Sequence, residues 1–246
     1  MSAEAYFAAV QDVLRRVATS QLDGIRAAAQ LLTDAIVQDR SLFSFGATHS
    51  FMVTEELVYR TGGLMLINPI YPHGMNLSVR PMTATSRMER VVGLGAELLA
   101  ASPAQTGDVL LLASTSGRNA VVIDMALEAR RKGLKTIGIT ALAYSTGVAS
   151  RHPSGKKLAD LCDLVLDNGA PYGDAAVAIP GSAQKTGPLS SITSLAIVNA
   201  MVAETVQRLV DLGRTPPVFM SANLDGGDEF NARLLAENRH RIHYMD

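Results

Sequence analysis

The sequence predicts an α/β protein built on a doubly wound, parallel, five-stranded sheet flanked by helices. Two observations lead to this fold class: five short apolar runs are continuous rather than alternating, and segments with helical periodicity separate them. Continuous runs are typical of strands that are buried on both faces, and helix-separated strands favour parallel pairing. The predicted strands occupy residues 42–46, 64–67, 108–113, 135–139 and 161–166.

Helices are predicted wherever apolar residues recur every three to four positions. One or two amphipathic helices cover residues 4–39, and a helix closed by Gly133 spans 118–132. Further helices are predicted over 51–60 and 190–210, and a mixed-charge helix or tail over about 228–246. The segments 68–81 and 167–187 are rich in Gly and Pro and are predicted to be long loops, which are often functional. We expect one domain over residues 1–246, with helical extensions at both ends.

Composition excludes several function classes. The chain of 246 residues carries 22 Lys plus Arg against 23 Asp plus Glu, so a general nucleic-acid binder, with its clustered basic face, is not expected. The single cysteine, Cys162, cannot form an internal disulfide, which favours a reducing compartment. No secretory segment and no membrane-spanning stretch is expected. These features predict a cytoplasmic protein that binds a small molecule.

Two strand-to-helix turns carry hydroxyl groups. Ser114, Thr115, Ser116 and Gly117 follow the third predicted strand and precede a helix, with no P-loop lysine after them. Hydroxyls, backbone amides and the helix dipole suit one phosphate monoester at this position. For each serine or threonine taken singly, simple helix capping is the better explanation. Three in succession favour a phosphate site.

The other turn follows the first strand. Gly46 allows a close approach of backbone to ligand, and Thr48 and Ser50 offer donors. A dinucleotide fingerprint is missing, so no nicotinamide cofactor is expected. Glu55 and Glu56 lie one to two helical turns further on. Adjacent helical residues diverge by about 100°, so only one of them should face a ligand at this turn.

The two turns together resemble the sugar isomerase (SIS) domain of phosphosugar-binding proteins, which has a flavodoxin-like topology. The resemblance covers about residues 22–210. The pattern Gly-Ala-Thr-His-Ser, Glu-Glu and Asn-Pro-Ile is similar to the stand-alone SIS proteins of the UPF0309 type. It implies that the sugar phosphate is held by Ser114, Thr115, Ser116 and Asn119. It also implies a homo-oligomer, a dimer or tetramer, with sites near subunit boundaries.

The resemblance also implies a catalytic base. In the heptose-phosphate isomerase branch, an acidic residue on the helix after the first turn takes this role, which corresponds to Glu55 or Glu56. That branch uses a late histidine as well, and this sequence has none between His152 and His240. Asn231, Arg233, Arg239 and His240 in the tail are candidates to reach a neighbouring subunit's site.

The first chemical step of such a reaction defines which side chains the site needs. Removing the acidic C2 proton of an open-chain aldose phosphate needs a carboxylate base and donors at the carbonyl oxygen. We expect Glu55, or else Glu56, to be the base, with His49 or Thr48 assisting. A solvent-exposed glutamate pair and a backbone-bonded His49 are the structural alternatives. No metal and no cofactor is expected.

Three outcomes remain open at this level. Elimination at C3 makes the protein an N-acetylhexosamine 6-phosphate dehydratase or lyase, for which Tyr172, Asp174 and Ser182 in the long loop offer room near a C2 substituent. Reprotonation at C1 makes it an aldose–ketose isomerase. Binding without reaction makes it a phosphosugar sensor, although the residues before the first strand show no basic recognition helix.

Overall fold

The computed structural model describes residues 2–245 and contains one five-stranded parallel sheet. Its strands are β1 (Leu42–Gly46), β2 (Ile67–Pro69), β3 (Val109–Ala113), β4 (Lys135–Thr140) and β5 (Leu164–Asp167). They lie in the order β2-β1-β3-β4-β5, and every neighbouring pair is parallel. This confirms the predicted fold class. The strand order reverses between β1 and β3, where ligands bind in open α/β sheets.

Helices cover both faces of the sheet. They are α1 (Ser2–Ser20), α2 (Leu22–Val37), α3 (Phe51–Leu57), α4 (Thr83–Met88), α5 (Leu94–Ala100), α6 (Ala120–Lys132), α7 (Leu142–Thr146), α8 (Ser190–Asp211) and α9 (Gly227–Glu237). No helix within residues 2–245 is both long and apolar enough to cross a membrane.

The side chains of the strands pack into two separate hydrophobic clusters, one on each face of the sheet, because successive side chains point to opposite faces. Leu111 packs in a cluster with α1, α2, α3 and α8, whereas Leu110 and Leu112 pack against α5 and α6. All five residues of β3 are buried, as its continuous apolar run predicts. Each fully buried leucine contributes about 1.5–3 kcal/mol to the free energy of unfolding.

Several predicted boundaries differ from the structure. Helix α3 ends at Leu57 rather than at residue 60, because Val58 is extended and Tyr59 has a positive φ of 48°. Strand β5 begins at Leu164 rather than at residue 161, because a 3₁₀ turn buries Leu158 just before it. The predicted loop 167–187 contains most of a short antiparallel hairpin, β6 (Ala175–Val177) and β7 (Thr186–Pro188).

The carboxyl-terminal tail closes the amino edge of the sheet. Asn68 is buried beneath it, and its Nδ2 lies within hydrogen-bond distance of the carbonyl oxygens of Leu42 (3.1 Å), Leu66 (3.2 Å) and Arg241 (3.0 Å). Its Oδ1 accepts the backbone amide of His243 at 2.6 Å. One buried amide therefore ties β1, β2 and the tail together.

Candidate functional site

A cavity of about 410 Å³ opens at the carboxyl edge of the sheet, beside the point where the strand order reverses. Its walls come from the turn after β1, the turn after β3, the end of α4, helix α7 and the start of α8. The lining residues are Thr48, His49, Ser50, Glu89, Ser114, Thr115, Ser116, Asn119, Tyr144, Gly173, Asp174, Pro188, Ser190 and Ser191.

The turn after β1 is held in shape by backbone contacts, within the turn and to the segment after β2. A Cβ at Gly46 would lie 2.2 Å from the carbonyl oxygen of Ser50, so only glycine fits there. Thr48 adopts a left-handed φ of 51°, and its amide donates to the carbonyl oxygen of Met75 at 2.8 Å. This geometry presents Thr48, His49 and Ser50 to the cavity.

The turn after β3 leaves its donors available. Its carbonyl groups are engaged, since Thr115 accepts the amide of Ala141 and Gly117 accepts the amide of Leu158, each at 2.9 Å. By contrast, no hydrogen bond within residues 2–245 engages the backbone amides of residues 115–119. The side-chain oxygens of residues 114–116 also make no hydrogen bond in that range. The turn therefore concentrates free donors, as a phosphate site requires.

Glu89, at the end of α4, is one of two carboxylates that line this cavity, the other being Asp174. Its Oε1 accepts the hydroxyl of Thr48 at 2.9 Å, and its Oε2 accepts Nδ2 of Asn119 at 2.7 Å. The Oδ1 of Asn119 in turn accepts Nη1 of Arg151 at 3.0 Å, which fixes the amide orientation. Burial raises the pKa of Glu89, and the hydrogen bonds from Thr48 and Asn119 only partly offset it.

The segment before α8 closes the remaining side of the cavity. Asp174 adopts a positive φ of 57° and accepts the backbone amides of Leu189 (3.1 Å) and Ser190 (2.9 Å). The hydroxyl of Ser190 donates to its other oxygen at 2.5 Å. Asp174 thus caps helix α8 and lines the cavity, whereas Tyr172 and Ser182 are not among the lining residues.

Seven of the nine sequence-predicted site residues line this one cavity. They are Thr48, His49, Ser50, Ser114, Thr115, Ser116 and Asn119. The structure does not bring Glu55 or Glu56 into the lining. Helix α3 rises about 1.5 Å per residue away from the turn, which carries both glutamates beyond the cavity. Glu55 is exposed, and Glu56 accepts Nδ2 of Asn199 at 2.6 Å and pairs with Arg60.

Sequence reasoning missed Glu89. It lies in a polar stretch between Arg87 and Arg90 that follows neither a strand nor a glycine turn, so no local pattern distinguishes it from a solvent-exposed residue. Tyr144 and Ser190 were missed for the same reason. Their place in the cavity depends on how α7 and α8 pack on the sheet rather than on a nearby motif.

None of the tail residues up to 245 lines the cavity of its own chain. His240 lies within 2.8 Å of Asp39, at the amino edge of the sheet. Within residues 2–245, no group of three His, Cys, Asp or Glu side chains is arranged to hold a metal ion.

The family model described as SIS domain matches residues 5–141. The UPF0309 protein of Shouchella clausii is 43% identical over 242 residues, covering 98% of both chains. The UPF0309 protein of Streptomyces griseus is 43% identical over 240 residues, covering 97% of this chain and 96% of that one.

Two solved structures share the fold at low sequence identity. Phosphoheptose isomerase from Neisseria gonorrhoeae superposes with a TM-score of 0.54 at 17% identity, covering 83% of this chain and 97% of that one. Phosphoheptose isomerase from Francisella tularensis gives a TM-score of 0.56 at 15% identity, covering 83% and 96%.

Proposed function

This chain belongs to the SIS domain family, and we propose that it binds a sugar 6-phosphate in the carboxyl-edge cavity and removes the proton at C2. The observation that carries the proposal is the pairing, within one cavity, of a donor-rich turn at residues 114–119 with the clamped carboxylate of Glu89. The two parts supply the two things that this chemistry needs, an anchor for the phosphate and a base for the proton.

The anchor consists of neutral donors. Hydroxyls of Ser114, Thr115 and Ser116 and the free amides of residues 115–119 supply hydrogen bonds to the phosphate oxygens. The adjoining amino end of α6 adds a favourable dipole for the negative charge. The two structural neighbours are phosphoheptose isomerases, which supports a sugar phosphate as the ligand class.

For the base we propose Glu89 in preference to Glu55 and Glu56. Its two hydrogen bonds leave lone pairs on both carboxylate oxygens, and a raised pKa makes a carboxylate a stronger base. Glu55 is exposed on α3, and the alternative role for it is as the base of a neighbouring chain's site, across a subunit boundary. The proposal includes a homodimer or tetramer with sites near such boundaries.

We propose dehydration of an N-acetylhexosamine 6-phosphate as the reaction. The C2 proton passes to Glu89, and the electron pair forms an enolate on C1 and C2. Collapse of the enolate restores the C1 carbonyl, forms the C2–C3 double bond and breaks the C3–O bond. The leaving hydroxide takes a proton from His49 and departs as water. An acetamide at C2 favours this route, because it blocks the simple transfer that yields a ketose.

Aldose–ketose isomerisation is the second candidate, and the neighbours' activity favours it. It shares the first step and differs in returning the proton to C1. A third candidate, a sensor, binds the same ligand without breaking the C2–H bond. All three need the same phosphate anchor.

The test is proton exchange at C2, followed by NMR in deuterated water with N-acetylglucosamine 6-phosphate and glucose 6-phosphate. Exchange with loss of the C3 hydroxyl supports the dehydratase, and exchange with ketose formation supports the isomerase. Binding without exchange for either sugar supports the sensor. A protein that binds neither phosphate ester more tightly than the unphosphorylated sugar contradicts the proposal.

A further inference from the structure

Three arginines cluster beside the wall that Glu89 and Asn119 form. Arg90 follows Glu89 directly, and Arg118 precedes Asn119. Arg151 donates Nη1 to Oδ1 of Asn119 at 3.0 Å, and its backbone amide donates to the carbonyl oxygen of Arg118 at 2.8 Å. Arg90 and Arg151 come from segments that are distant in sequence. Both therefore lie near Arg118, beside the amino end of α6.

No carboxylate within residues 2–245 forms an ion pair with any of these three arginines. The Nε atom of Arg118 is buried and has no hydrogen-bond partner in that range. Burial lowers the pKa of Arg151, and the neighbouring Arg118 and Arg90 lower it further, while Tyr144 and Glu89 raise it and offset part of the shift. Three mutually repelling cations with an unsatisfied buried donor are expected where an anion completes the arrangement.

We propose that Arg90, Arg118 and Arg151 form a second anion subsite, which takes a carboxylate or a second phosphate carried by the sugar phosphate. The inference rests on the proposed function and adds that, among sugar phosphates, those with a second anionic group bind most tightly. Planar guanidinium groups match the oxygen geometry of both anions.

The subsite is separate from the phosphate anchor. Asn119 lies between them, because its Nδ2 donates to Glu89 on the cavity side while its Oδ1 accepts from Arg151 on the other. The anchor uses uncharged donors that line the cavity, whereas none of the three arginines is among the lining residues. A ligand that spans both subsites carries its second charge beyond the C2 region rather than on the same phosphate.

The test compares ligands that differ only in the second charge. Titration calorimetry with 6-phosphogluconate and sorbitol 6-phosphate, both open-chain, isolates a carboxylate at C1. Fructose 1,6-bisphosphate and fructose 6-phosphate isolate a second phosphate. We expect the doubly anionic member of at least one pair to bind about tenfold more tightly or better. The Arg118→Gln/Arg151→Gln double variant removes that preference, while Arg26→Gln, on the exposed face of α2, keeps it.

The outcomes separate this inference from the proposed function. If both members of each pair bind equally well to the unaltered protein, the second subsite is refuted and the phosphate anchor stands. If the double variant weakens all four ligands equally, the arginines serve the main phosphate and the second subsite is also refuted. If none of the four ligands binds, both the subsite and the proposed function fail.

Discussion

The two edges of the sheet differ in whether their polar groups have hydrogen-bond partners. At the amino edge, Asn68 satisfies both ends of its amide, and the two oxygens of Asp108 accept the amides of Ser41 (3.0 Å) and Gln105 (2.8 Å). At the carboxyl edge, the amides of residues 115–119 and the hydroxyls of the same turn have no partner within residues 2–245.

This difference suggests that the amino edge of the sheet serves stability and the carboxyl edge serves ligand binding. Buried polar groups are normally satisfied, so the satisfied network at the amino edge stabilises the fold, whereas the accessible donors at the carboxyl edge are available to a ligand. Substitutions at the amino edge should therefore lower the free energy of unfolding and leave ligand binding unchanged. Substitutions at the carboxyl edge should weaken ligand binding and leave the free energy of unfolding nearly unchanged.

The largest effect is expected for Glu89→Gln, which keeps the shape of the carboxylate and removes its basicity. If Glu89 takes the C2 proton, exchange measured by NMR in deuterated water should fall about 100-fold or more. Ligand affinity and the melting temperature should change little, because the amide still occupies the wall beside Thr48 and Asn119.

The matched controls are Glu55→Gln and Glu56→Gln, the residues that the sequence favoured. Each should retain most of the exchange rate in the assembled protein. A loss confined to Glu55→Gln would instead assign the base to α3, and would indicate that the site is completed across a subunit boundary.

A stability effect of about 2–3 kcal/mol is expected for Asn68→Ala at the amino edge, because the substitution leaves several buried backbone groups without partners. Denaturant unfolding measures the change. Calorimetry at a temperature where the variant is folded should give an unaltered affinity for the sugar phosphate. A loss of affinity with intact stability would contradict the division between the two edges.

Much of this carboxyl-edge site was predictable, because its turns follow strands. Strands β1 and β3 are buried on both faces, so they appear in the sequence as continuous apolar runs, and their carboxyl ends must meet at one edge. Thr48, Ser50 and Ser116 could therefore be placed together from sequence alone.

Glu89 could not be placed in this way. It lies at the end of the six-residue helix α4, in a region without apolar periodicity, and its position is set by contacts with Thr48 and Asn119 from distant segments. Glu55 was favoured because it follows the first turn in sequence. The short helix α3 places Glu55 beyond the cavity. The direction in which this helix leaves the turn cannot be predicted from the spacing of its side chains.

A smaller effect is expected for Ser116→Ala in the turn after β3, the proposed phosphate anchor. Removing one of several donors should weaken sugar-phosphate binding by about 1–2 kcal/mol, which is about tenfold in affinity. Titration calorimetry measures it, with Ser86→Ala on the exposed side of α4 as the matched control. Because the hydroxyl has no partner within residues 2–245, the melting temperature of the free protein should not change. An unaltered affinity would remove Ser116 from the anchor.

The smallest effect is expected in the pH dependence of stability. Burial raises the pKa of Glu89 above its ordinary value of 4.5, so the folded protein binds this proton more tightly than the unfolded chain does. Its contribution to the free energy of unfolding is fully present below pH 4.5 and is lost as the pH rises through the folded pKa. The hydrogen bonds from Thr48 and Asn119 offset part of the burial, which keeps the effect small. Melting curves of the unaltered protein and Glu89→Gln, compared from about pH 4 to pH 8, should show the variant gaining relative stability as the pH rises. A constant difference across that range would mean that ionising the carboxylate at the carboxyl edge has no effect on the free energy of unfolding.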